Sequence, residues 1–259
     1  MAELQTILVE SGEGVGRLTL NRPDSLNAFN EEMTEEIFSV LRDFSKDENV
    51  RCVSITGNGR AFSAGQDLKE VSPGRSFADS LRRRYNPIIR QITSMRKPVV
   101  ALVNGVAAGA GMSLALACDF IIMSSDAKFI QAFVKIGLVP DSGSSFFLPA
   151  IIGQKKAFEL AALGNDVAAD EALQLGLVNR VFASDAFASE SGKILHQFAS
   201  GPTVAYSMIK KMMNRSSGRS LEESLEYETY LQEIAGRTDD SSEAIRAFVE
   251  KRSPKFRGR

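Results

Sequence analysis

Short apolar runs separated by segments of helical periodicity occupy the first half of the chain. The runs predict β-strands at residues 15–21, 50–56, 98–103 and 119–124. Between the first two runs, apolar residues recur at helical spacing after Asn30, which suits a helix N-cap. Two further helices are predicted at 80–94, despite Pro87 within it, and at 109–117, where small and apolar residues predict burial. Strands that alternate with helices indicate the α/β class.

The pattern changes after Gly153, where helical segments follow one another almost without strands. These segments lie at 154–163, 169–175, 185–199, 202–214, 221–235 and 241–251. Helices beyond residue 201 have no predicted strands to cover, so they must pack on one another, on the core or on another subunit. We therefore predict a core over residues 1–200 and a separate helical region over 201–259, with Ile245, Phe248 and Phe256 as interface candidates.

Composition narrows the class of protein. The 31 basic and 32 acidic residues among 259 give a formal net charge of −1, which argues against a nucleic-acid partner. Cys52 and Cys118 lie in apolar runs and predict buried packing residues rather than a disulfide or a metal site. The chain start lacks the features of a secretory signal, and no apolar run is long enough for a membrane span. We expect a cytoplasmic location.

Several catalytic devices are not encoded. The single histidine, His196, lies mid-helix and far in sequence from any reactive loop, and no Gly-x-Ser-x-Gly turn is present. Neither a phosphate-binding loop nor a cluster with metal-ligand spacing occurs, so we expect no metal and no cofactor. Catalysis by backbone N–H donors together with a carboxylate remains.

Two loops rich in small residues could supply such donors. Residues 60–68 follow a strand, and residues 103–111 run from a strand into the buried helix. Small residues let a backbone approach a ligand closely, and a helix start presents unpaired N–H groups. The same composition also suits tight packing at strand-to-helix turns, so the loops alone leave both interpretations open.

Four motifs in order resemble the crotonase (enoyl-CoA hydratase/isomerase) superfamily. They are NRPDSLNAFN from Asn21, AFSAGQDL from Ala61, VNGVAAGAGMSLALACD from Val103 and FIQAFVKIGLVPDSGSSFFLP from Phe129. The resemblance continues to AFVEKRSPKF near the end of the chain. It implies a crotonase-like spiral of ββα units with a C-terminal helical trimerisation region, an acyl-CoA substrate, and a homo-oligomer that is a trimer or a dimer of trimers.

The resemblance also assigns roles to residues. It implies that the N–H groups of Ala64 and Ala110 hold the developing enolate oxygen of a thioester, with Asp67 more suited to a structural hydrogen bond. It places substrate and CoA contacts at Arg22, Ser25, Leu26, Ala28, Ala64, Gly65, Gln66, Asp67, Leu68, Gly109, Ala110 and Phe133.

The reaction depends on which carboxylates are present. Hydratases of this superfamily carry two glutamates, and the corresponding positions are Ser113 and Phe133. One carboxylate appears instead at Asp141, where it could cap a helix that begins near Ser142. The segment around it resembles the phenylacetate-pathway 1,2-epoxyphenylacetyl-CoA isomerase branch, which implies that Asp141 is the catalytic acid/base.

We therefore predict a cofactor-independent isomerase of acyl-CoA. It would rearrange 1,2-epoxyphenylacetyl-CoA, shift a double bond from Δ3 to Δ2 in an enoyl-CoA, or do both. Two alternatives stay open: an enoyl-CoA hydratase of the same superfamily with another water-holding residue, and a non-catalytic acyl-CoA-binding subunit.

Overall fold

A computed structural model describes residues 4–70, 74, 76–215 and 218–259. The strands are β1 Ile7–Gly12, β2 Val15–Leu20, β3 Cys52–Gly57, β4 Ala61–Ser63, β5 Val99–Val103, β6 Val106–Ala108, β7 Phe120–Ser124, β8 Lys128–Ile130, β9 Asp166–Ala168 and β10 Arg180–Phe182. The α-helices are α1 Glu31–Lys46, α2 Phe77–Ser80, α3 Asn86–Ser94, α4 Ala110–Leu116, α5 Ser144–Ile152, α6 Gln154–Leu163, α7 Ala169–Gln174, α8 Phe187–Ser200, α9 Thr203–Asn214, α10 Leu221–Gly236 and α11 Asp239–Val249.

Two sheets share successive strands of the chain. The larger has the order β1-β2-β3-β5-β7-β10 and is parallel except for the β1–β2 pair. The smaller has the order β4-β6-β8-β9 and is parallel except for the β8–β9 pair. Strands β3, β5 and β7 each enter the larger sheet, and the next strand enters the smaller one before a helix follows. This is the spiral of ββα units that the resemblance implied.

The four predicted strands and the predicted helices are confirmed within a few residues. Asn30 caps α1, because its side-chain Oδ1 accepts a 2.9 Å hydrogen bond from the Met33 N–H. The core lies between the larger sheet and its helices, where Leu18, Ile37 and Ile55 are fully buried.

The helix predicted at 80–94 differs from the prediction in its winding. A π-helical turn, Leu81–Tyr85, separates α2 from α3, and the Asn86 N–H donates to the Leu81 carbonyl five residues back. Pro87 lacks an N–H and its ring would clash with a carbonyl four residues earlier. The wider turn just before Pro87 accommodates both effects, and such turns are often found at functional sites.

A buried lysine joins the C-terminal helices to the sheet. The ammonium of Lys210, on α9, donates to the Ile92 carbonyl at 2.6 Å and to the Asp119 carboxylate at 2.7 Å. Burial raises the pKa of Asp119, while Lys210 acts in the opposite direction.

The predicted boundary between residues 200 and 201 remains a prediction. Within the described residues, no helix combines the length and apolar character needed to cross a bilayer.

Candidate active site

Loops from three parts of the chain meet where the smaller sheet ends. The loop after β4 lies beside residues 26–29, because the Ala64 N–H donates to the Leu26 carbonyl at 2.9 Å and the Phe29 N–H donates to the Gly65 carbonyl at 2.7 Å. Gly65 also lies against the start of α4, where a Cβ atom added to it would be 3.2 Å from the Ala110 nitrogen. The two predicted donor loops are therefore neighbours.

The structure corrects the predicted donor in the first loop. The Ala64 N–H is already hydrogen-bonded to the Leu26 carbonyl, so it is not open to a substrate oxygen. Gln66 forms an isolated parallel β-bridge with Phe29. The hydrogen bonds of this bridge are made by the residues on either side of Gln66: the Phe29 N–H donates to the Gly65 carbonyl, and the Asp67 N–H donates to the Phe29 carbonyl. Because successive backbone groups of an extended strand point to opposite sides, the Gln66 N–H points away from Phe29. Across the described part of the chain it has no hydrogen-bond partner.

The second predicted donor is open. Ala110 is the first residue of α4, and Gly109 precedes it in a conformation with φ of 51°. The first N–H groups of a helix have no partner within it. The Ala110 N–H has none elsewhere in the described ranges, whereas the Gly109 N–H donates to the Ile130 carbonyl at 2.9 Å. Gln66 and Ala110 thus each present a free backbone donor.

Gly65 makes the close approach of the two loops possible. Its φ is +88°, and a Cβ atom added to it would lie 2.8 Å from the Ala108 carbonyl oxygen. We expect Gly65→Ala to push the loop away from Ala110, to lower the free energy of unfolding by about 1–3 kcal/mol and to weaken catalysis. Urea denaturation and initial rates would measure the two effects. Gly176→Ala is the matched control, because Gly176 also has a left-handed φ and no described atom lies within 4 Å of a Cβ added to it; equal losses in both variants would contradict the packing argument.

The predicted CoA-binding residues divide into structural and exposed groups. The Arg22 guanidinium donates to the Ala28 carbonyl at 2.6 Å and to the Asp67 carboxylate at 3.0 Å. Arg22 and Asp67 therefore hold the two loops together, as expected for a structural Asp67. Leu68 is 54% exposed, and Ser25 and Leu26 are half-buried.

A small apolar cavity adjoins the Ala110 end of the donor pair. Its lining residues are Phe29, Thr34, Ile37, Tyr85, Ile88, Ile89, Ala110, Leu114 and Ser142. The helical segment around the π turn supplies one wall, and α1 and α4 supply the others. Apolar walls with few polar groups are typical of small-molecule sites. Arg84, on the π turn, is buried, and its Nε donates to the hydroxyl of the cavity residue Thr34 at 3.2 Å.

Asp141 lies directly before a cavity residue. Ser142 and Gly143 both adopt left-handed conformations, with φ of 52° and 85°, and α5 begins only at Ser144. The helix has no side-chain cap, so the helix-cap interpretation of Asp141 is not what the structure shows. Its carboxylate instead accepts a 2.8 Å hydrogen bond from the Ser142 hydroxyl. Burial raises the pKa of Asp141, and this hydrogen bond partly opposes the change.

The two positions that correspond to the hydratase glutamates cannot hold a carboxylate-bound water. The Ser113 hydroxyl is fully buried and donates to the Gly109 carbonyl at 3.2 Å, within its own helix. Phe133 is buried, and a Cβ atom added to Gly109 would lie 3.9 Å from its ring. Phe133 therefore packs beside Gly109 of the glycine-rich loop.

Some residues of the site carried no strong sequence signal. Tyr85, Thr34 and Ser142 come from separate elements that only the folded chain brings together. Asn27 is another: its buried amide donates to the Asn58 and Ala61 carbonyls, at 2.9 and 2.8 Å, and so joins the loops around the donors. Asn27 also adopts a left-handed φ of 55°, which is uncommon for a residue other than glycine. A sequence does not reveal a backbone angle, so the role of Asn27 was not predicted.

The fold and the comparisons with known proteins place the chain in a family of enzymes. The family model "Enoyl-CoA hydratase/isomerase" matches residues 10–259, and the chain belongs to this family. It is 39% identical to the 1,2-epoxyphenylacetyl-CoA isomerase of Escherichia coli, over 99% of this chain and 100% of that protein. It is 37% identical to a protein of Rhodobacter capsulatus named "probable enoyl-CoA hydratase", over 98% of each chain.

Solved structures confirm the fold. The crystal structure of an enoyl-CoA hydratase from Bacillus anthracis matches with a TM-score of 0.92 at 30% identity, over 98% of this chain and 100% of that one. The spiral of ββα units and the C-terminal helices are therefore those of the crotonase superfamily.

Proposed function

We propose that the protein is an acyl-CoA isomerase in which Asp141 moves a proton along the acyl chain. The observation that supports this most directly is the position of Asp141. It directly precedes Ser142, which lines the cavity together with Ala110 and donates to its carboxylate, while Ser113 and Phe133 stand where a hydratase needs glutamates. Hydration requires a positioned water, whereas isomerisation requires one group that can accept and return a proton.

The two free backbone donors supply the other half of the mechanism. The thioester oxygen would lie between the Gln66 and Ala110 N–H groups, which stabilise negative charge on it. Asp141 then takes a proton from a carbon near the thioester, and the electron pair of the broken C–H bond moves to the carbonyl as an enolate. Asp141 returns the proton at another carbon, so substrate and product have the same atoms. We propose that no metal or cofactor takes part.

We propose that the acyl group carries an aromatic ring or an epoxide derived from one, since aromatic side chains line the cavity. Its walls include Phe29 and Tyr85, whose rings meet edge to face with centroids 6.2 Å apart. The relative from Escherichia coli is named for 1,2-epoxyphenylacetyl-CoA. We propose 1,2-epoxyphenylacetyl-CoA as the substrate, with 3-enoyl-CoA as a second one.

A comparison of three substrates tests the proposal. We expect the purified protein to rearrange 1,2-epoxyphenylacetyl-CoA or to shift the double bond of 3-enoyl-CoA, and to hydrate 2-enoyl-CoA slowly. Chromatography of the CoA products measures all three. Asp166→Asn, which neutralises an exposed carboxylate that pairs with Lys128 at 2.5 Å, is the control for loss of charge. Fast hydration that survives in Asp141→Ala would favour a hydratase, and binding without turnover would favour an acyl-CoA-binding subunit.

The exposed apolar residues of the last helices support an oligomer as part of this proposal. Phe248 is 85% exposed and Ile245 is 66% exposed, both on α11. Exposed apolar patches of this kind mark contacts with other chains. We propose a homo-oligomer, a trimer or a dimer of trimers.

A further inference from the structure

The Tyr85 hydroxyl contacts the residue that carries one of the free backbone donors. Tyr85 is the last residue of the π turn, and its hydroxyl donates to the side-chain Oε1 of Gln66. Its ring is buried and lines the apolar cavity. One side chain therefore touches both the acyl pocket and the loop that positions the Gln66 N–H.

The orientation of the Gln66 amide is set by its other end. Its Nε2 faces two carbonyl oxygens, those of Asp67 at 3.1 Å and Phe29 at 3.4 Å. Carbonyls only accept hydrogen bonds, so the NH2 group must lie there and Oε1 must face Tyr85. Two hydrogen bonds to Phe29 hold the backbone on either side of Gln66. The Phe29 N–H donates to the Gly65 carbonyl at 2.7 Å, and the Asp67 N–H donates to the Phe29 carbonyl at 3.0 Å.

These contacts leave Gln66 little freedom except through Tyr85. Phe29 holds the residue from one side, through its backbone, and Tyr85 holds the end of its side chain from the direction of the pocket. Phe29 and Tyr85 also pack edge to face. A donor aligned before the reaction stabilises developing charge without the cost of reorienting it.

We infer that Tyr85 is a positioning residue, which aligns the Gln66 N–H with the thioester oxygen and links that alignment to the wall of the acyl pocket. This inference rests on the proposed role of Gln66 and Ala110 as oxyanion donors. It adds to that role a hydroxyl that need not touch the substrate at all. A substrate that fills the pocket would press on the same ring that holds the donor in place.

Polarisation of a bound chromophore tests the inference without any turnover. A 4-dimethylaminocinnamoyl-CoA thioester absorbs at longer wavelength when its carbonyl oxygen accepts hydrogen bonds. We expect a red shift on the unmodified protein, a smaller one on Tyr85→Phe, and little change in the Kd of the probe. Tyr206→Phe removes a hydroxyl on α9 and should leave the shift unchanged. An unchanged shift in Tyr85→Phe would overturn the inference.

A double-mutant cycle separates positioning from direct contact with the substrate. Gln66→Met keeps the backbone N–H but removes Oε1, the acceptor of the Tyr85 hydroxyl. We expect Tyr85→Phe to lower kcat about 3- to 10-fold with KM nearly constant, and to cause no further loss in the Gln66→Met background. Additive losses would overturn the positioning role. A red shift on the unmodified protein without any isomerisation would contradict the proposed isomerase function but not the positioning role of Tyr85.

Discussion

Asp141→Asn will reduce isomerisation by about 10²–10⁴-fold, the usual contribution of a general base. The amide keeps the shape of the side chain and can still accept from the Ser142 hydroxyl, but it cannot take a proton. Burial raises the pKa of Asp141 above the ordinary aspartate value of about 3.9. The acid limb of kcat/KM against pH should therefore lie at a higher pH than that ordinary value. Initial rates across pH measure both effects, and the residual rate of the variant should lack that limb.

The same substitution should leave the folded protein at least as stable at neutral pH. A raised pKa means that the folded state holds the Asp141 proton more tightly than the unfolded chain does. The contribution of Asp141 to stability is therefore fully present below the pKa that Asp141 has in the unfolded chain. It is lost as the pH rises through the pKa of Asp141 in the folded protein. Asparagine carries no charge at any of these pH values. A variant that is both inactive and clearly less stable in thermal denaturation would point to a structural Asp141 instead.

Ala110→Pro will remove one donor with little damage to the helix that carries it. Ala110 is the first residue of α4, a position where proline is tolerated because its missing N–H has no partner in the helix. The loss of one oxyanion donor costs about 2.7–4 kcal/mol of transition-state stabilisation, or about 10²–10³ in rate. The proline ring also occupies the space in front of the former N–H. Isomerisation rates and circular dichroism measure the outcome.

The matched control is Ala110→Gly, which keeps the N–H and removes only the methyl group. We expect it to retain most of the activity, since the donor is the backbone and not the side chain. If glycine and proline reduce the rate alike, the methyl group of Ala110 in the cavity matters more than its N–H. If proline leaves the rate unchanged, the Ala110 N–H is not an oxyanion donor.

The sequence predicted the large elements well and the small ones poorly. Helix α1 is long enough for burial on one face to impose a helical period, and strands β3 and β5 are buried almost throughout, which gives continuous apolar runs. Strands β4, β6 and β8 have three residues each, too few for any pattern, yet they form the sheet that brings the donor loops together. The sequence did not predict strand β1, because only its first residue is buried. Its apolar and polar residues therefore do not alternate as they do in a half-buried strand.

The site was predicted to the level of loops but not of atoms. The motif around Ala64 located the first donor loop, but which N–H is free depends on the pairing of that loop with Leu26 and Phe29. That pairing joins residues more than thirty positions apart, which neither composition nor spacing reveals. Asp141 was identified through a resemblance, whereas its left-handed neighbours Ser142 and Gly143 became visible only in the folded chain.

Lys210 has a consequence for how the chain can be divided. Its ammonium stands between the end of α3 and the Asp119 carboxylate at the start of β7, although it belongs to a late helix. A chain shortened to its first 200 residues would leave Asp119 partly buried without its counter-ion, and an uncompensated buried charge costs several kcal/mol. We therefore expect residues 1–200 alone to fold less stably than the whole chain, because α9 supplies the ammonium that faces Asp119.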